Sequence, residues 1–280
     1  MPPFPSIAYF GEEGSFTHVV AARRFKRAHH VSAPTIEEAF DLLKNRQVKY
    51  SIVPIENTSV GIITDTVDQL IAATKSLPFP KIIECITMPV EFALLSRSRS
   101  TKIRLIYSHF SPLGHARLWL KEHYPEVPQI VVTSTAEAAR RARDEAGAAA
   151  IAGVHAAKIY QLRVIARGLG REVPNQTSFL LLGYTPIIPS LKPTHTILIF
   201  ELPHKPGALV NALSFIASEG YNLTRIQSRP IPGRFREYSF MIEVETTFPN
   251  KRWTSLMQSL QRVTTRIHSL GHYGQRFLSA

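Results

Sequence analysis

The 280-residue sequence predicts an α/β protein in two parts: a larger one of alternating strands and helices, then a small βαββαβ domain. Three observations carry that expectation. Short apolar runs alternate with capped amphipathic segments from Ser6 to about Gly183. A proline-rich stretch, PIIPSLKP at 186–193, interrupts the rhythm. Beyond it the patterns run strand, helix, strand, strand, helix, strand, the split ferredoxin-like plan.

The elements follow in order. IAYF at 7–10 reads as a strand meeting the glycine turn GEEGSFTH. Free backbone N–H groups in such a turn suit a carboxylate or phosphate. Ser15 and Thr17 stand at helix-cap positions before VVAARRFKRAHH, read as one helix with His29 and His30 at its exposed end. Thr35 opens TIEEAFDLLKNRQ, with Glu38 at the capping-box position. YSIVPI at 50–55 is a strand ending in Glu56-Asn57-Thr58-Ser59, and a helix follows within 61–74. KIIECITMPVEFALLSR and KIRLIYSHFSP continue the alternation, with a helix expected over 113–123. QIVVTSTAEAARRARDEAG supplies a strand, a cap at Thr133 or Ser134 and a helix. Polar Asn175-Gln176-Thr177-Ser178 runs into a buried strand, FLLLG. Segments 11–17, 56–59, 108–111, 133–135 and 175–178 make a ring rich in hydroxyls and amides, where ligands sit in such folds. After the linker, THTILIFELPH and LTRIQSRP are strands around a helix ended by Gly220. REYSFMIEVE is a half-exposed strand, and WTSLMQSLQRVT is a helix before a last short strand. The divisions are 1–185, linker 186–194 and 195–280, with lobes of about 1–79 joined by 175–185, and 80–174.

Composition narrows the function classes. The net charge is +12, but residues 1–194 carry 23 Lys/Arg against 16 Asp/Glu and residues 195–280 carry 10 against 5. The basic charge is thus spread over the chain, so a nucleic-acid partner is not expected; a basic field also attracts small anions. No run of about 18 apolar residues predicts a membrane span, and the N-terminus lacks the pattern of a signal peptide. A lone cysteine, Cys85, excludes an intrachain disulfide and points to the cytoplasm. No His, Cys, Asp and Glu set has metal-ligand spacing, so neither metal nor cofactor is expected.

The ordered motifs resemble one family. GEEGSFTH, SIVPIENTSVGIITDTVDQL, YSHFSPL, TSTAEAA and NQTSF resemble the motifs of prephenate dehydratase. KPGALVNALSFIASEGYNLTRIQSRP is similar to the phenylalanine-binding region of an ACT domain. The resemblance covers nearly the whole chain. It implies a two-lobed, periplasmic-binding-protein-like catalytic domain with its active site in the cleft. It also implies conversion of prephenate to phenylpyruvate, and feedback by phenylalanine at ACT–ACT interfaces of a homo-oligomer. An arogenate dehydratase, a non-aromatising prephenate decarboxylase and an inactive amino-acid-sensing protein stay open on the same scaffold; retention of Thr177 argues against the decarboxylase.

The resemblance assigns Thr177 to catalysis, as the group that assists loss of the ring hydroxyl. From the residues alone a strand-start hydroxyl bonded to backbone remains open. Asn57 and Glu56 belong to the catalytic set, Asn57 positioning substrate and Glu56 bracing, since a carboxylate beside a dianion repels it. Ser15, Thr17, Thr58, Ser108, His109, Asn175, Ser178 and Phe179 are the substrate-binding candidates. The effector set is Gly207, Ala208, Leu209, Asn222, Leu223, Gln227, Ser228 and Arg229. Two departures stand out. Ser178 stands at the position where the resemblance implies an arginine, so either Arg23, Arg24, Arg167 or Arg171 supplies the charge or the activity has drifted. Gln227 replaces a glutamate.

Overall fold

The structure is a computed structural model that describes residues 4–97, 102–170, 174–187, 191–245 and 251–279. By contacts the chain forms two compact units. The first comprises residues up to Ile63, Ile86–Phe179 and Phe277 onward; the second comprises Thr64–Cys85 and Leu180–Arg276.

In the first unit the chain runs β1 (Ser6–Phe10), α1 (Phe16–Arg24), β2 (His29–Ala33), α2 (Ile36–Lys44), β3 (Tyr50–Asn57) and β4 (Gly61–Ile62). β1 pairs in parallel with β2 and β3. Helix α3 (Thr64–Ala73) belongs to the second unit, and β5 (Lys81–Pro89) contributes to both. Next come β6 (Phe92–Ser96), β7 (Leu105–Ser108), α4 (Phe110–His115), α5 (Arg117–His123), β8 (Gln129–Val131), α6 (Thr135–Asp144), β9 (Ala148–Gly153), α7 (Ala156–Ile159) and β10 (Arg163–Leu169). Their five strands form a second sheet, in the order β10-β6-β9-β7-β8. Strand β11 (Gln176–Gly183) then lies beside β3. The first unit thus holds strands of two sheets, one around β1 and β3 and one around β6 and β9.

The second sheet is covered on both faces, and its central strands show why. In β9, Ala148, Ala150 and Ala152 enter one core while Ala149 and Ile151 enter another. β6 divides likewise, Ala93 and Leu95 against Phe92 and Leu94. Successive side chains of a strand point to opposite faces, so a strand buried on both sides must be apolar throughout.

The second unit adds β12 (His195–Glu201), α8 (Ala208–Ser218), β13 (Asn222–Pro230), β14 (Tyr238–Glu245), α9 (Lys251–Val263) and β15 (Arg266–Phe277). Its strand order is β13-β14-β12-β15, antiparallel where paired. Both helices pack on one core with Leu198, Phe200, Ile242 and Val244. This is the expected βαββαβ plan. Thr64–Cys85 is tied into the same unit: Arg229 reaches Asp68, Lys81 reaches the Ser269 carbonyl and Arg276 reaches Glu84.

Four local expectations change. His29 and His30 open strand β2 instead of ending a helix. Helix α1 stops at Arg24, where Phe25 turns out of it and stacks on Tyr50 (centroids 5.8 Å apart). The helix expected over 113–123 begins at Phe110 and divides at Ala116. Pro112 sits in its first turn, where a missing N–H costs nothing. Strand β10 was not anticipated, because two arginines mask its pattern, and β15 is 12 residues long rather than short.

Candidate active site

The polar cluster forms where the end of β3 meets the start of β11. Asn57 is the last residue of β3. Its side-chain oxygen accepts from the Ser59 N–H (2.9 Å) and the Val60 N–H (3.1 Å). Those bonds fix which way the amide faces, so its NH2 points at β11. It donates to Thr177 Oγ1 at 2.8 Å, Asn175 Oδ1 at 2.6 Å and the Gln176 carbonyl at 3.2 Å. Thr177 is buried, and its own hydroxyl proton meets no acceptor among the described residues. The cluster is therefore neutral: the Asn57 amide holds the Thr177 oxygen, and the hydroxyl can still act as a donor.

The structure brings Asn57, Asn175 and Thr177 together, and Glu56 lies half-buried one residue earlier on β3. Thr177 and Ser178 sit at the amino end of β11 and not past the carboxyl end of a strand. Several expected carboxylate donors have spent their protons. The Thr58 hydroxyl donates to the Pro174 carbonyl (3.3 Å) and accepts from the Gln176 N–H (3.0 Å), stapling the two strands. Ser15 is the cap of α1, accepting from the His18 N–H and donating to the Phe10 carbonyl. Ser108 is buried and donates to the Ile151 carbonyl at 2.7 Å. Thr17 is buried in the first turn of α1, and Phe179 is buried core. His109 precedes α4, half-buried against Phe110 (centroids 4.2 Å apart), and burial lowers its pKa. Ser134, not Thr133, caps α6.

Ser178 faces Thr87 on β5, hydroxyl to hydroxyl at 2.9 Å. Met88 and Pro89, which follow Thr87 on β5, line an open cleft of about 360 Å³. Phe16, Val19, Met88, Pro89 and Val154 give it apolar walls; Arg23, Arg167, Glu91 and His155 supply the polar groups. Burial lowers the pKa of His155, whose Nε2 bonds the Gly14 carbonyl at 2.9 Å. Two of the four arginines expected near Ser178 thus line the cavity. Arg24 instead lies over the Phe25 ring at 4.7 Å, and Arg171 falls outside the described residues. Sequence reading missed Phe16 and His155, whose rings meet edge-on at 5.0 Å, because they come from different lobes. Among the described residues no group of three or more His, Cys, Asp and Glu could hold a metal ion.

The expected effector residues lie in the second unit. Gly207 caps α8 with φ +78°, and an added Cβ there would meet nothing within 4 Å. The Ala208 N–H is already taken by the Lys205 carbonyl at 3.3 Å, which leaves Leu209 as the donor of that pair. Asn222 opens β13 with its amide 3.5 Å from Glu245, and Leu223 packs against the core. Gln227 is half-buried and Ser228 exposed on the same strand. Arg229 holds Asp68 through two bonds of 2.6 Å, so its guanidinium is engaged within the unit.

The family described as "Prephenate dehydratase" matches residues 7–186, and the ACT domain matches residues 196–252. Prephenate dehydratase of Lactococcus lactis subsp. cremoris is 32% identical, over 95% of this chain and 96% of its own. The bifunctional chorismate mutase/prephenate dehydratase of Aquifex aeolicus is also 32% identical, over 97% of this chain and 74% of its own. Among solved structures, prephenate dehydratase from Arthrobacter aurescens in complex with L-Phe superposes with TM-score 0.86 at 27% identity, covering 96% of this chain and 90% of that one. A novel type of quorum-quenching acylase has the same fold (TM-score 0.83, covering 96% and 97%), a likeness of fold alone at 22% identity. With motifs, lobes and cluster in place, the chain belongs to the prephenate dehydratase family and carries an ACT domain behind its catalytic part.

Proposed function

We propose that the chain converts prephenate to phenylpyruvate, water and carbon dioxide, as a carbon–oxygen lyase of phenylalanine biosynthesis. The observation that carries this reading is the Thr177 hydroxyl, which receives a hydrogen bond from Asn57 and keeps its own proton available. In the reaction, the carbon–carbon bond to the ring carboxylate breaks and carbon dioxide leaves. The electron pair moves through the ring, the ring carbon–oxygen bond breaks, and the departing oxygen takes a proton to become water. Aromatisation drives the step, so the protein needs to orient the dianion and donate to the departing oxygen. A threonine is a weak acid in water. Here the Asn57 bond to its oxygen draws electron density from the O–H, and burial strengthens both bonds.

Phenylalanine bound at the ACT domain is the proposed restraint. Its supports are the ACT match, the L-Phe complex of the Arthrobacter aurescens relative, and the open αL turn at Gly207. A homo-oligomer formed through ACT domains and a cytoplasmic site belong to the same reading. Purified protein incubated with prephenate at neutral pH is expected to form phenylpyruvate well above the spontaneous rate, and added phenylalanine is expected to suppress it. Prephenate consumed without any aromatic product would instead indicate a non-aromatising decarboxylase.

A further inference from the structure

The substrate of the proposed reaction carries two carboxylates. We propose that Arg23 of α1 and Arg167 of β10 are the carboxylate-binding cations of the cleft, an assignment that rests on the dehydratase reading above. Both residues line the cleft. Arg167 meets no carboxylate among the described residues. Arg23 Nη1 lies 3.9 Å from Met88 Sδ and donates to the Ser279 carbonyl, a neutral partner that an anion outcompetes.

The two arginines lie on the side of the catalytic cluster. Ser178 pairs with Thr87 on one face of the neighbouring strands β11 and β5, while Met88 and Thr177, each the adjacent residue of its strand, point to the other face, where Met88 touches Arg23. The same strand end reaches the catalytic cluster. Val90, between the cavity residues Pro89 and Glu91, donates its N–H to the Asn175 carbonyl at 2.8 Å. Asn175 and Thr177 share the Asn57 amide. A ring held against Phe16 and Met88 would therefore have guanidiniums on one side and the Thr177 cluster one strand away. Glu91, exposed at the rim, is the opposing charge on the lining. Arginine's planar fork can grip a carboxylate with two bonds, which suits anchoring better than a point charge.

Steady-state kinetics with prephenate on wild type, Arg23→Gln, Arg167→Gln, the double variant, and the Arg23→Lys/Arg167→Lys pair test the assignment. Each glutamine is expected to raise KM roughly 10- to 100-fold with kcat within about threefold. Both side chains are exposed, and the Arg23→Lys/Arg167→Lys pair, with charge kept, is expected to recover part of the affinity. An active wild type whose KM is unchanged by the double substitution would overturn the proposal. A wild type that makes no phenylpyruvate would overturn the dehydratase reading instead; prephenate affinity, measured by calorimetry, would then keep the cation assignment if it falls in the double variant and sink it if it does not.

Discussion

Asn57 and Thr177 are joined by a hydrogen bond of 2.8 Å whose direction is fixed, because the Asn57 oxygen is already held by two backbone N–H groups of the turn that follows it. The amide can only donate to the threonine. Replacing the threonine removes the proton donor, so Thr177→Ala is expected to lower kcat by about 100-fold or more, while Thr177→Ser keeps most of it. The assay is phenylpyruvate formation at saturating prephenate.

The isosteric change Asn57→Asp tests the direction of that bond. A carboxylate accepts where the amide donated, so it would pull the Thr177 proton toward itself and away from the substrate. It would also place a negative charge beside a dianion. We expect a kcat loss comparable to that of Thr177→Ala, roughly 100-fold, together with a stability loss of about 1–3 kcal/mol, because the bonds to the Asn175 and Gln176 oxygens are lost too. An active Asn57→Asp enzyme would show that the amide does not work by donating.

Ser178 has a structural assignment. Its hydroxyl pair with Thr87 is half-buried and neutral, so Ser178→Ala is expected to cost about 0.5–1.5 kcal/mol of stability, read in urea unfolding. KM and kcat should stay within about twofold of wild type. A large KM increase would return the serine to substrate binding.

Glu137 offers a pH test of the second lobe. Its carboxylate accepts from the Thr133 hydroxyl and N–H and then from Arg141, and these bonds bring its pKa from 4.5 down to about 2. A lowered acid stabilises the fold fully above its unfolded value and loses that contribution as pH falls toward its folded one. Wild type is therefore expected to exceed Glu137→Gln by about 1–3 kcal/mol at neutral pH. The gap should narrow between about pH 4.5 and about pH 2, followed by urea midpoints across that range. A gap independent of pH would contradict the assignment.

Arg229 and Asp68 are half-exposed partners held by two bonds of 2.6 Å. A double-mutant cycle of Arg229→Ala and Asp68→Ala is expected to give a coupling of about 0.5–1 kcal/mol, diminished by salt. If Arg229→Ala abolishes phenylalanine control while Asp68→Ala spares it, the guanidinium binds effector directly.

Much of this architecture is written locally. The Asn57 and Thr177 segments, the capped helices and the βαββαβ order are visible because each rests on short-range pattern and turn chemistry. What decides the site is not local. That Thr58 and Ser108 give their protons to carbonyls depends on partners far along the chain, so a hydroxyl-rich segment looks richer in donors than it is. Arg23 and Arg167 come from different lobes, and nothing in either segment says that both face one cavity. His29 and His30 were misread because the ring of Phe25, packed on Tyr50, ends the helix that composition would have prolonged.

The membership of Thr64–Cys85 in the second unit has a practical consequence. Family boundaries at 186 and 196 invite cutting the chain between them to obtain a free-standing phenylalanine sensor. Such a fragment would lack helix α3 and the first half of β5. Arg229 would lose Asp68, Arg276 would lose the buried Glu84, and Arg266 would lose the Thr74 carbonyl. Limited proteolysis in that linker should accordingly nick the backbone without releasing a soluble sensor, and engineering of the effector response is best carried out in the intact chain.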